Sequence, residues 1–139
     1  MFSSVASRSA SAYKRVSVET SVDHADPHQL VTLLFDALQQ ALGGARMAIQ
    51  RGDVQAKVKQ IGAALRILEE GLKAPLDLVN GGELAANLND LYDYCINRVI
   101  VANAKSDEAA LEEVGRLIGQ VASGWKQING QRPAYLQPV

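Results

Sequence analysis

An all-α fold, an antiparallel four-helix bundle with a short N-terminal arm or helical turn, is what the sequence predicts. Four stretches repeat apolar residues every three or four positions, the period of helices buried along one face. The breaks between them are short and hold glycine, proline or a capping side chain, so successive helices must double back on one another. No alternating apolar–polar run and no βαβ order competes with that pattern. The 139 residues make one domain, long enough to bury most of its apolar surface without disulfides or metals. The expected organisation is an arm over 1–25, the bundle over 26–129 and a tail over 130–139.

The arm, "MFSSVASRSASAYKRV", is Ser-rich and basic. It loosely resembles a transit peptide but lacks the apolar stretch of a secretory signal. A mobile arm with one helical turn around 12–16 is the expectation. The first helix begins at "DPHQL", with Asp26 as N-cap, Pro27 in the first helical position and Gln29 completing a capping box. It runs to about residue 50 on a stripe of Leu30, Leu34, Ala37, Leu38, Ala41, Ala45 and Ile49. Gly43 and Gly44 each weaken its middle by roughly 1 kcal/mol relative to alanine, so a closely packed neighbour or a kink is expected there.

Arg51-Gly52-Asp53 joins the first helix to the second, with Gly52 in the left-handed C-terminal position and Asp53 as the next cap. Reading these residues as an integrin ligand would need an extracellular looped-out tip. The second helix spans 54–74 on Val58, Ile61, Leu65, Leu68 and Leu72, and Pro75 ends or bends it. Ala63, Ile67, Gly71 and Ala74 line its other side. None is charged, which predicts a smooth track open to another helix. Gly81 and Gly82 break the chain before the third helix. There Leu84, Leu88, Leu91, Cys95, Val99 and Ala102 form one stripe, and Ala85, Tyr92, Ile96 and Ile100 a second beside it. The two cover an arc of roughly 180°, against the ~100° of an ordinary surface helix. The break at 103–107 places Ser106 or Asp107 as cap of the fourth helix. That helix carries Leu111, Val114, Leu117, Ile118, Val121, Trp125 and Ile128 to about residue 129. The tail holds two prolines and follows the bundle surface or stays mobile.

Composition excludes several functions. A net charge of −1 leaves no electrostatic footprint for nucleic acid or an anionic membrane, and the aromatic content offers no stacking platform. No stretch approaches the ~18 to 20 apolar residues of a membrane span. The one cysteine forms no internal disulfide and fits no zinc spacing. Cys95 reads as a buried inert thiol, consistent with a cytoplasmic protein. His24 and His28 straddle the helix start, so they share no face and read as solvated polar residues rather than metal ligands. Paired Glu-x-x-His motifs, phosphate loops and serine elbows are missing. Asp93 reads as a hydrogen-bond or ion-pair partner at the bundle edge rather than as a general base, and Tyr94 as edge packing. No catalytic residue, metal or cofactor is expected.

Two classes remain. One is a binding module that takes an apolar partner segment into its grooves. The other is a bundle whose spare faces meet in a homodimer, a structural or regulatory interaction protein. A monomer whose arm and tail cover both tracks is the bland alternative, and periodicity does not separate the three.

The order and spacing of "SAYKRVSVETSV", "DPHQLVTLLFDAL", "GDVQAKV", "NGGELAANLNDLYDY" and "GWKQI" resemble the FliS family over about residues 10–129. The most specific piece is Gly81-Gly82-Glu83, Asn87-Leu88 and Leu91-Tyr92-Asp93-Tyr94, supported by Leu34-Phe35-Asp36. The resemblance implies a non-enzymatic cytoplasmic chaperone of flagellar export. Such proteins bind the disordered C-terminal segment of flagellin, prevent its premature polymerisation and present it to the export gate. Parts of the family also bind a regulatory anti-sigma factor, which stays open for this chain. Tyr13 matches the tyrosine of the family's arm, so Tyr13 and Val16 are expected to cover the apolar track until flagellin displaces them. Leu34, Leu38, Ile67, Leu88, Tyr92 and Ile96 are the expected groove contacts. Core packing is the competing role of each leucine, and Tyr92 is the best anchor because its phenol can stay wet. Pro75 departs from the family's regular helix end and unsettles the groove rim near 76–80. Ala10 is small where relatives carry a larger residue, which weakens arm docking.

Overall fold

The computed structural model describes residues 26–127. The arm, with its expected turn at 12–16, and Tyr13, Val16, His24, Ile128 and the tail lie outside the described residues. Helix α1 spans Pro27–Arg51, α2 spans Val54–Arg66 and continues as a π-helical turn over Ile67–Lys73, α3 spans Gly82–Lys105, and α4 spans Glu108–Lys126. Among the described residues these helices account for the whole architecture. Helix α1 packs on α2 and α4, while α3 packs on α4 and on α2 with its π turn, so α1 and α3 stand across the core from each other. The all-α bundle expected from periodicity is the fold observed.

The caps fall where the side chains dictate. Asp26 accepts from the Gln29 amide at 2.7 Å and Gln29 Oε1 accepts from the Asp26 amide at 3.1 Å, the reciprocal capping box. Gly52 has φ 72°, a left-handed conformation that costs a side-chain-bearing residue energy, and Asp53 then caps α2 by accepting from the Ala56 amide at 3.1 Å. At the next junction Ser106 takes the left-handed position, and Asp107 caps α4 through the Ala110 amide at 3.2 Å. Lys57 is buried in α2, and its ammonium donates to the Asn103 carbonyl and the Ser106 hydroxyl, both at 3.0 Å. A cation there satisfies an orphan carbonyl and offsets the negative end of the α3 dipole.

The core joins all four helices: Leu34, Phe35 and Leu38 of α1 meet Ile61, Ile67 and Leu68 of α2, Val99 of α3 and Leu111 and Ile118 of α4. Each fully buried aliphatic side chain contributes about 1.5–3 kcal/mol. Three expectations are corrected by the packing. Val58, read as core, is 51% exposed, and Leu84, read as the start of the narrow α3 stripe, is 52% exposed. Both sit near a helix end on a shoulder that no neighbour covers. The supposedly open track on α2 is instead its seat on α1. Gln60, one turn before Ala63 on that side, packs against Gly44, and Ile67 and Gly71 are buried, leaving only Ala74 exposed. Of the two glycines, Gly44 therefore marks the close neighbour, while Gly43 faces open space.

The broad apolar arc of α3 has a related cause. A helix gripped by α4 on one side and by α2 with its π turn on the other needs two apolar flanks. Ala85, Tyr92 and Ile96 are buried with Leu88, Cys95, Val99 and Ala102 of the narrow stripe, and Ile100 remains outside with Leu84. His28 also departs from expectation. Its ring stacks on Trp125 with centroids 4.8 Å apart, its Nε2–H donates to the Trp125 carbonyl at 2.9 Å, and the indole N–H donates to the His28 carbonyl at 3.1 Å. The residue read as solvated thus fastens the start of α1 to the end of α4.

Candidate functional site

Among the described residues, a groove of about 450 Å³ with a partly apolar lining lies between the π turn and α3. One wall is Glu69, Lys73 and Ala74, the other is Asn89, Asp93 and Ile96, and Leu76 and Leu78 close one end. On α3 the spacing of four and three puts the three wall residues on one face. The loop that supplies Leu76 and Leu78 follows from Pro75, which has no N–H to continue the helix. Asp77 then folds it back by accepting from the Val79 and Asn80 amides at 3.2 and 3.0 Å. That turn leaves Leu78 and Val79 outside, with Val79 89% exposed.

The walls are tied by an ion pair, Lys73 Nζ to Asp93 Oδ1 at 2.6 Å. This is the edge role read for Asp93. A second, more polar groove of about 370 Å³ lies between α1 and α4, lined by Gln39, Leu42, Gly43 and Arg46 opposite Leu111, Glu112, Gly115 and Arg116. Gln39 bridges it by donating to the Gly115 carbonyl at 2.9 Å, and Arg46 lies 3.4 Å from Glu108 and 3.6 Å from Glu112. Its own side chains already engage one another.

Of the expected contact residues, Ile96 lines the first groove. Tyr92 and Leu88 stand one and two turns before it on α3, almost fully buried behind that wall. Leu34, Leu38 and Ile67 have no exposed surface and belong to the core beneath. Periodicity placed Ala74 on the uncharged track of the second helix, and it missed Leu76 and Leu78, because residues around a proline-broken helix end follow no repeat. The unsettled rim near Pro75 was the available signal.

Chemistry elsewhere is sparse. Burial pushes the Cys95 thiol up to about 11, with the negative charge of Glu113 adding to it, so it holds its proton at neutral pH and behaves as an inert core residue. Tyr94 donates to Glu113, which also accepts from Arg98 Nε at 2.8 Å. The cluster straps α3 to α4. Among the described residues no group of three His, Cys, Asp or Glu side chains could hold a metal, and no helix is long and apolar enough to cross a membrane.

Residues 9–132 match the family model described as flagellar protein FliS. The chain is 48% identical to the flagellar secretion chaperone FliS of Salmonella typhimurium over 118 residues, 85% of this chain and 87% of that one. It is 42% identical to the flagellar secretion chaperone FliSB of Pseudomonas aeruginosa, over 84% of this chain and 92% of the relative. With the Escherichia coli flagellar secretion chaperone FliS it shares 38% identity, over 88% and 90% of the two chains. A match of this extent, over helices and connections alike, means that the chain belongs to the FliS family of flagellar proteins.

Proposed function

We propose that this chain is a cytoplasmic export chaperone. It binds the C-terminal segment of flagellin, prevents premature polymerisation and delivers the subunit to the gate of the flagellar type III export apparatus. Supporting the reading are the relatives' name, flagellar secretion chaperone, and a surface suited to a peptide rather than a small substrate. The observation that carries it is the open groove between the π turn and α3, with Leu78, Val79 and Ile100 exposed around it. Exposed apolar surface gathered around a groove marks an interaction site.

In this reading the guest's apolar side chains settle against Leu76, Leu78 and Ile96. Each one fully buried adds about 1.5–3 kcal/mol, and the sum must exceed the ordering penalty of a disordered segment, which favours a long interface. Tyr92 and Leu88 back the wall, while Leu34, Leu38 and Ile67 hold the floor from the core rather than touching the guest. Tyr13 and Val16 cover the groove while it is empty. Deleting residues 1–17 therefore shifts flagellin affinity, and an unchanged affinity overturns that part. No step of this function is catalytic.

Size-exclusion chromatography of the chain with and without a synthetic flagellin C-terminal peptide, backed by calorimetric titration, tests the whole. A one-to-one complex is the expected result. A stable dimer that ignores the peptide overturns the reading in favour of self-association.

A further inference from the structure

We infer that the π-helical turn and the Lys73–Asp93 pair form a brace that sets the width of the groove, so that both residues are positioning residues for the guest. The inference rests on the proposed function but starts from backbone geometry. An α-helix advances by about 100° per residue, whereas a π-helix, closing bonds five residues apart, takes about 4.4 residues per turn. Across the seven residues of Ile67–Lys73 the difference accumulates to roughly 100°, one residue's worth of rotation. The amide of Ala74 accordingly bonds back to the Glu69 carbonyl, five residues away, at 3.0 Å.

The rotation has two consequences. It narrows the arc spanned by Ile67, Leu68, Gly71 and Leu72 from about 140° on a regular helix to roughly 115°, and all four are buried in the core. It also swings Lys73, at the end of the turn, to the side facing α3, where it lines the groove with Glu69. Had the helix stayed regular, Lys73 would stand about 100° further round, beyond reach of Asp93. The turn thus builds one wall, and the 2.6 Å ion pair ties that wall to the other. Both side chains are part-exposed, so the pair adds little to global stability. Its effect is local, on a wall that runs straight into the Pro75 break.

The test uses the full chain with Lys73→Met, Asp93→Asn and the double charge swap Lys73→Asp with Asp93→Lys. Each single variant is expected to weaken binding of the flagellin C-terminal peptide about three- to fivefold, and the swap to restore it to within about twofold. Melting temperatures stay near that of the parent. Amide hydrogen exchange over 67–76 in the free chain, a readout independent of any guest, quickens in the single variants and recovers in the swap. Single variants that bind and exchange like the parent overturn the brace, as does a swap as weak as the singles. A parent chain that fails to bind the peptide strikes the proposed function instead, and the exchange data still decide whether the brace exists.

Discussion

Glu113 shows how much a half-exposed residue can be tuned by two neighbours. It accepts hydrogen bonds from Tyr94 and Arg98, and these hold its carboxyl below the ordinary carboxylate value. The same bond to Glu113 pushes the Tyr94 phenol above its own. A lowered acid pKa means stability present above the ordinary carboxylate range and lost as the pH falls through the lowered value. A raised phenol pKa means stability present below pH ~10 and lost as the pH rises through the raised value. The strap between α3 and α4 is therefore intact at neutral pH and loosens at both extremes. Alkaline titration of tyrosinate absorbance should show Tyr94 ionising above the ordinary tyrosine value, and Glu113→Gln should bring it back down. Lys57 makes a different case, since its ammonium is buried against the end of α3. Lys57→Met keeps the packing of the stem but strands the Asn103 carbonyl. Urea unfolding should register a loss of about 1–2 kcal/mol.

At the scale of elements, local rules and tertiary rules divide cleanly. Gly43 lies inside α1 and Gly52 just past its end, and substitution should act in opposite directions. A Cβ at Gly43 meets nothing within 4 Å, so Gly43→Ala should stabilise α1 by about 0.5–1 kcal/mol through helix propensity alone. Gly52 has equal room but φ +72°, so Gly52→Ala strains the turn and should destabilise by about 1 kcal/mol. Thermal melts of the two variants against the parent check both signs. Features set by neighbouring residues were legible in the sequence: the capping box at Asp26, the Asp53 cap, the left-handed Gly52, and the cap of α4 to within the two neighbours Ser106 and Asp107. Features set by which helices become neighbours were not. Ile67 looked spare because the short turn makes α1 a neighbour of α2 without fixing which face of α2 it covers, and His28 looked solvated because nothing in the sequence brings Trp125 to it. The π turn was hidden for a more basic reason. Reading periodicity at 100° per residue presumes the regular helix that this segment abandons, so Glu69 and Lys73 could not be placed on a groove wall.

For the whole molecule, the question is which apolar surface is left once the bundle has closed. The arc on α3 suggested an extra apolar flank beside its core stripe; folding consumes most of it and leaves Ile100 outside, one turn beyond the groove wall at Ile96. Helix α1 also leaves an apolar side chain outside, Met47, and α1 stands across the core from α3. Exposure is similar, 49% for Ile100 and 57% for Met47, so the two are matched in what solvent sees and differ in what lies beside them. Replacing either with aspartate removes a similar half-covered side chain from a helix, and unfolding free energy should fall by a similar amount in both, about 1 kcal/mol. Their effects on guest binding should part. Ile100→Asp puts a charge where the guest must lose water, and affinity for the flagellin C-terminal peptide should fall by about tenfold. Met47→Asp should leave it unchanged. Equal losses in both would mean that the guest has no preferred side. A loss confined to Met47 would move the binding surface to α1 and leave the groove beside α3 without a guest.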